Sequence, residues 1–527
     1  MSEAEEADHP TPPPSDRWRA WSWIPTLYFA EGLPLIVVLS VATVMYKQLG
    51  VSNTEIALYT SLLYLPWTLK PLWSPLVDLI GTQRGWTIAM QVVIAAAMFG
   101  VGTLADTPGF FVATLAAFWV MAIASATHDI AADGFYMASM SARDQAWFVG
   151  IRSSFYRLAT IAGSGLLVIL AGHLGDPPEA PADPMATGGT VAVAAEETPL
   201  TAVPPNDPAI DGDAATEASP DPSADDSPAV APGADPRVAL PGAQMSRAAA
   251  WSWTFTAAAG LYAAFAVYHL FGLPRPAAST AASEEPAGDA PADFFTGFGE
   301  VFASFFRKPN VVWAIAYMLL YRFSEAQLAK LKAPFLIDPV EEGGVGLTTV
   351  KLGFLDGTLG VSLLTLGGIL GGLILARDGL RRWILPMALA INVPNAAYAY
   401  LAFAQPESEW VVGVVIAIEQ LGYGLGFSAY MLYMLYFSRG EHQTAHYAIC
   451  TGFMALGMMI PGMFCGAIQE TLGYDWFFVW VTAAMIPSLI VTALLPIPDA
   501  DPEEAASGDG ERAADQSDAA PNDRTDA

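Results

Sequence analysis

This sequence predicts an all-α polytopic membrane protein, with twelve transmembrane helices divided by a linker into two sets of six. Three observations carry that prediction. Of 527 residues, 54% are hydrophobic and only 14% charged. Apolar runs of about 18 residues or more recur in both halves, the length that crosses a hydrocarbon core of roughly 30 Å. A transmembrane β-barrel would show short alternating segments instead. Basic residues also fall in alternate loops, as the bias of positive charge toward the cytoplasm requires.

The chain opens on MSEAEEADHPTPPPSD, acidic and Pro-rich, without the basic start and short apolar run of a signal peptide. Residues 1–21 are therefore expected to be a disordered cytoplasmic N-terminus, and span 1, over 22–46, a retained helix. Span 1 contains the motif EGLP, with Glu31 at its head. Ser52, Asn53 or Thr54 can cap span 2, with Glu55 favourably placed in its first turn. Span 2, over 55–79, is interrupted by Pro66, Pro71 and Pro75. Such kinks survive where neighbouring protein or water re-satisfies the freed carbonyls. Spans 3, 4 and 5 fall at 86–104, 109–138 and 145–172. Span 6, at 248–271, begins with WSWTF, which suits a membrane interface. These six make a first bundle over 22–272. The second bundle, 309–496, holds spans at 309–336, 348–375, 382–404, 410–437, 443–469 and 475–496.

The net charge of −29 is concentrated outside the spans. Residues 174–246 hold thirteen Asp/Glu against one Arg, and residues 499–527 hold ten against two. These Ala/Pro/Asp-rich stretches have too little apolar surface to fold, so a disordered external loop at 173–246 and a disordered acidic tail at 497–527 are expected. Deleting 180–240 should leave membrane insertion intact, as a fractionation of the expressed deletion variant would show. The acidity excludes nucleic acid as a partner, since phosphate binding needs bases. The linker 273–308 is cytoplasmic in this reading. Phe294, Phe298, Val301, Phe302 and Phe305 follow a helical stripe in it, predicting an amphipathic helix on the membrane surface or, alternatively, a buried connector. Arg17, Arg19, Arg84, Arg143, Arg307, Lys308, Arg377, Arg381, Arg382 and Arg439 lie in alternate loops, which places both termini in the cytoplasm. Cys450 and Cys465 lie in apolar sequence and make no disulfide scaffold.

Ionisable groups inside the spans mark a functional site by default, because each is costly unless it faces protein or a water-filled path. In WVMAIASATHDIAADGFY (119–136), Asp129, Asp133 and Tyr136 fall on one helix face beside His128. They either line a transport path or form a packing network. Arg152 and Tyr156 share a face of span 5, where Arg152 can compensate an acid of span 4. YRFSEAQLAKLKAPFLI supplies Arg322, Glu325, Lys330 and Lys332; the two lysines are expected to snorkel outward, and Glu325 to point inward. In span 10, Glu419, Tyr423, Gly426, Tyr430, Tyr433 and Phe437 form a stripe that suits stacking of sugar rings or plain helix packing. Asn392 and Asn395 offer further hydrogen bonds. SPLVDLIGTQRGW (74–86) and GGLILARDGLRRW (371–383) echo one another across the halves, as duplicated six-helix transporter units do. There, Asp78 and Arg84 are candidates for an inner gate. His442, His446 and Cys450 have a metal-like spacing without a full ligand set, so no metal site is expected. The sequence shows no phosphate-loop, kinase or hydrolase signature, so no cofactor and no enzymatic activity are expected either.

The segments 69–86, 125–140, 153–165, 320–337, 392–400 and 419–435 together resemble the AmpG-like permeases of the major facilitator superfamily, a group that includes acetyl-CoA transporter relatives. The resemblance implies two six-helix bundles around a central cavity, in the bacterial inner membrane. It also implies import of anhydro-muropeptides, among them N-acetylglucosamine–1,6-anhydro-N-acetylmuramic acid, by proton symport. The family's acidic positions match Asp129, Asp133, Glu325 (where Asp is usual) and Glu419. Glu31 stands where relatives carry a small residue, and Lys330 and Lys332 replace uncharged positions. The expected proton and charge network is thus Asp129, Asp133, Arg152, Glu325 and Glu419. The expected solute cavity draws on Glu31, His128, Tyr156, Asn395, Tyr423 and Tyr430, in a monomer whose partners are the solute, the proton and the lipid bilayer. Transport of another organic solute (a siderophore, a sugar or a CoA-like thioester) stands as the alternative. So does a non-transporting receptor or assembly protein.

Overall fold

The computed structural model describes residues 15–74, 77, 80–140, 142–177, 237–238, 243–275, 299–300, 302–440 and 442–497. Residues 1–14 of the expected disordered N-terminus, most of the external loop, the first part of the linker with Phe294 and Phe298, nearly all of the acidic tail and Asp78 lie outside them. Residues 15–21, expected to be disordered, are instead helical and continue into the first span. Every regular element among the described residues is helical.

Nine helical stretches among the described residues are long and apolar enough to cross a membrane. The span count rises to twelve because one of these stretches is two spans, and two further spans are broken helices. In the first bundle, α1 is Trp18–Gln48, α3 Gln83–Leu104, α4 Phe110–Ser139 and α6 Arg247–Gly272. The broken α2 runs over 53–72, and α5 over 142–175. In the second bundle, α7 runs over 311–337, interrupted at 321–322. α8 is Thr349–Asp378, α9 Leu380–Ala404 and α10 Glu409–Ser438. α11 (443–472) and α12 (474–493) run together across Gly473, whose φ of 74° is the left-handed turn that a side chain would strain.

Local chemistry sets these boundaries. Ser52 caps α2, accepting from the Glu55 amide at 3.2 Å, so the expected capping cluster resolves to its first residue. Thr82, Ser246 and Thr348 cap α3, α6 and α8 in the same way. Pro66 sits at the restart of α2 after Leu63 and Tyr64, and a turn at Lys70–Leu72 follows. Proline removes an amide donor and collides with the preceding turn, so α2 is delivered in pieces.

The apolar core explains how the bundles meet. One cluster runs through both bundles, joining Val37, Met45 and Tyr46 of α1 and Ile56 of α2 to Phe335 of α7, Tyr398 of α9 and Phe477 and Phe478 of α12. Toward the opposite end the core divides. Trp23, Ile24, Phe135 and Phe148 pack within the first bundle, and Tyr317, Met387, Tyr430 and Met434 pack within the second. Phe305 is buried in this second cluster, its ring 5.6 Å from Phe437 and 6.2 Å from Phe453. At the end of the linker Phe305 thus docks into an aromatic pocket between α10 and α11, while Phe302 and Phe306 are exposed.

Polar contacts reinforce the joined end. Lys47 of α1 pairs with Asp338 at 2.7 Å, Tyr474 donates to Asp338 at 2.7 Å, and Asn53 of α2 donates to Gln469 at 2.7 Å. The Thr54 amide donates to Glu470 at 2.9 Å, and the Thr349 amide to Asp176 at 2.8 Å. Small residues allow this closeness: a Cβ on Gly466 of α11 would lie 2.2 Å from the Asn53 carbonyl oxygen, and one on Gly357 of α8 would lie 2.1 Å from that of Ser164 in α5. Leucine at Gly466 is expected to wedge this end open. Labelling of Cys465 by a membrane-impermeant maleimide should then rise several-fold over the native protein, in which Cys465 is buried.

Candidate functional site

Two charged clusters sit at mid-depth, one in each bundle. The first gathers Glu31 of α1, Lys70 of the broken α2, Asp129 and Asp133 of α4, and Arg152 of α5. Glu31, Asp129 and Asp133 each bring a carboxylate oxygen within 4.8 Å of the others. Lys70 forms an ion pair with Asp129. Arg152 donates to Asp133 at 2.8 Å, and the Tyr28 hydroxyl donates to the same carboxylate at 3.0 Å. The Arg152 guanidinium also lies 4.4 Å from the Tyr28 ring centre and 5.2 Å from that of Tyr136, a cation–π cradle. Glu31 is buried, and its Oε2 meets no donor among the described residues.

The arithmetic of this cluster is its main chemical property. Three carboxylates stand against two cations, leaving one formal negative charge, and one proton would bring the group to zero. It is also reachable: the side chains of Lys70 and Asp133 are 35% and 37% exposed, whereas those of Lys332 and Glu419 in the second bundle are 8% and 5%. Although three carboxylates this close have the donor set of a cation site, Lys70 and Arg152 already supply positive charge there.

The second cluster is built on the interruption in α7. Arg322 stands at the restart of the helix, with φ −103° and ψ 17°, one turn before Glu325. It donates to Glu325 at 2.8 Å and to the Tyr423 hydroxyl at 2.6 Å, with the rings of Tyr423 and Phe427 alongside. Lys332 bridges Asp356 of α8 at 2.7 Å and Glu419 of α10 at 3.1 Å, and Tyr398 donates to Glu419 at 3.3 Å. The expected snorkelling of Lys332 is therefore corrected: two carboxylates hold it inward. Lys330 is also buried and donates to Thr60 of the other bundle at 2.9 Å, which corrects the same expectation for it. Between the bundles, Lys332, Asp356, Thr43 and Ser164 line a small cavity of about 50 Å³.

Of the residues singled out in the sequence, Asp129, Asp133, Arg152 and Glu31 come together in the first cluster. Glu325, Glu419 and Tyr423 come together in the second. Tyr156 packs against Gly32, the neighbour of Glu31 in the chain, its carbonyl oxygen 2.9 Å from where a Cβ on Gly32 would lie. Three cavity candidates face elsewhere. His128, one residue from Asp129 and so about 100° round the helix, meets Gln91 at 3.0 Å; Gln91 reaches His269, and His269 reaches Thr26. Tyr430 stacks on Tyr321 at 5.0 Å and donates to the Met318 carbonyl at 2.6 Å, so it belongs to the core of its bundle. Asn395 is buried and donates to Ser324 at 3.2 Å. At the gate position, Arg84 bonds the carbonyls of Leu270 and Leu273. His446 meets Ser304 at 2.9 Å.

Lys70, one of the charges the sequence places inside the first-half spans but not assigned to a site, and Asp356, not singled out at all, complete the clusters. Each is a lone charge in an apolar run, so the rule that flagged Asp129 also applies to them.

Comparison with known proteins agrees with this architecture. The BT1 family profile matches residues 31–180. A protein named anhydromuropeptide permease from Escherichia coli strain K12 is 23% identical, over 88% of this chain and 77% of its own length. A putative transporter AmpG 2 of Rickettsia typhi is 25% identical over 39% of this chain and 48% of its own. Among solved structures, a point mutant of the nucleoside transporter NupG superposes with a TM-score of 0.61 at 12% identity, covering 90% of this chain and 99% of that one. A bacterial homologue of the lysosomal transporter Spinster gives 0.60 at 12%, covering 92% and 96%. The chain is thus a multi-pass helical membrane protein, similar in sequence to AmpG-like permeases and in fold to solved membrane transporters.

Proposed function

We propose that this protein is a secondary transporter that imports a cell-wall-derived anhydro-muropeptide or anhydro-disaccharide by proton symport. In this reading it works as a monomer in the bacterial inner membrane with both termini in the cytoplasm. The observation that carries the reading is the first cluster: three acids against two bases, partly accessible and held by four helices. A proton arriving there removes the last formal charge and lowers the cost of enclosing the group when the bundles close around it. With the basic loops in the cytoplasm, the joined end of the molecule is the outer one, so this conformation faces inward. The 50 Å³ cavity has room for a few water molecules only, so a disaccharide requires the bundles to move apart.

Two cations complement an acidic solute. Lys330 meets Thr60, and Arg157 meets Thr365 at 3.4 Å, and neither has an acidic partner among the described residues. A muramic-acid carboxylate would supply one. The anhydromuropeptide permease of Escherichia coli supports this substrate class by its name.

Uptake of labelled anhydro-disaccharide into proteoliposomes, with an imposed gradient acid outside, tests the proposal. Accumulation should follow the gradient. Uptake indifferent both to the gradient and to neutralising Glu31, Asp129 and Asp133 would end the symport reading. Lys330 and Arg157 would serve other acidic groups equally well, which supports a second reading, transport of another organic solute. A competition panel of siderophores, sugars and CoA-like thioesters separates the two.

A further inference from the structure

A further cavity lies away from both charged clusters, at the end of the first bundle that carries the basic loops. It measures about 500 Å³ and is lined by Arg19, Ser22 and Trp23 at the start of α1, Arg84 at the start of α3, and 270–275 at the end of α6. Three arginines line it, and no described acid does. Arg84 is held in place by the Leu270 and Leu273 carbonyls, while Arg19 and Arg275 have no described side-chain partner.

We infer that this pocket binds the phosphate headgroup of an anionic phospholipid from the leaflet on that side. Guanidinium groups present forked donors that match phosphate oxygens, and a pocket without carboxylates offers them no competing partner. The rim points to a lipid rather than to free phosphate. Phe271 is 81% exposed and Trp18 is 80% exposed, with Leu270 and Trp21 partly exposed beside them. Apolar surface thus continues from the charged pocket toward the acyl region, where a tethered headgroup would lay its chains. Basic pockets between helices at the cytoplasmic leaflet are suited to such headgroups. A bound headgroup would add to the contacts that join the ends of α1, α3 and α6, among them the Arg84 and Tyr268–Ser22 hydrogen bonds.

The test uses the full-length protein in detergent micelles doped with phosphatidylglycerol or phosphatidylcholine, with retained lipid read by native mass spectrometry. Native protein should retain phosphatidylglycerol preferentially. The preference should fall about fivefold for each arginine removed in Arg19→Gln and Arg275→Gln, while the melting temperature in phosphatidylcholine stays unchanged. Equal retention of the two lipids by native protein, or a full preference kept by the double variant, would overturn the assignment. Low-millimolar inorganic phosphate should fail to displace the lipid; displacement would mark a soluble-anion pocket and overturn the lipid source.

Discussion

Glu31→Gln is expected to abolish accumulation driven by a pH gradient while leaving solute exchange between equilibrated compartments within a few-fold of normal. Asp129 and Asp133 each have a cation of their own, Lys70 and Arg152. Glu31 has none among the described residues, and its buried Oε2 meets no donor there. In the proposed symport, Glu31 is therefore the acid whose charge is left over. Glutamine keeps its volume and removes that charge, so the cluster becomes neutral whatever the pH on either side. Each unit of pH difference is worth about 1.4 kcal/mol, a tenfold accumulation for one coupled proton. The variant should lose that factor, bringing accumulation at one unit of gradient down to equilibration. Asp129→Asn is a less informative change, because it strands Lys70 and mixes loss of coupling with loss of stability. Undiminished gradient dependence in Glu31→Gln would remove Glu31 from the coupling path. Loss of exchange as well would make it part of the solute site instead.

The spans were legible because lipid enforces length and hydropathy, which act locally along the chain. The charged residues were legible as a set for the same reason: Asp129, Asp133 and Arg152 have no business in oil unless they meet. Their partners were harder to read, since pairing is a property of packing between helices. Lys332 looked able to snorkel from its position near a helix end, yet Asp356 and Glu419 reach it from α8 and α10. His128 looked like a neighbour of Asp129, but one helical step turns it toward Gln91. The stripe of α10 divides likewise: Glu419 and Tyr423 face charges, while Gly426 leaves room for the Met387 carbonyl of α9 and Tyr430 fills the core. Periodicity assigns residues to a face, and only the neighbouring helices decide which part of that face meets a partner.

The second large effect follows from that packing. Lys332→Met is expected to destabilise the protein by about 3–5 kcal/mol, the typical cost of leaving a buried ion without its partner. The ammonium serves two carboxylates, Asp356 at 2.7 Å and Glu419 at 3.1 Å, and Glu419 is almost fully enclosed. Methionine matches the stem of lysine closely, so little packing is lost and the penalty is electrostatic. In thermal unfolding of purified protein the midpoint should drop by on the order of 10 °C. The decisive comparison is the triple variant Lys332→Met, Asp356→Leu, Glu419→Gln. Replacing an entire buried network with neutral groups of similar volume is often neutral or stabilising, whereas removing one member is not. The triple variant should therefore recover most of the midpoint. The exposed pair Lys351–Glu409 provides the scale, because Glu409→Gln should cost no more than about 1 kcal/mol. If Lys332→Met shifts the midpoint no more than Glu409→Gln, the second cluster is not a closed ion network in solution. If the triple variant melts as low as the single one, the loss lies in packing, and the charges of the second bundle are carried at little cost.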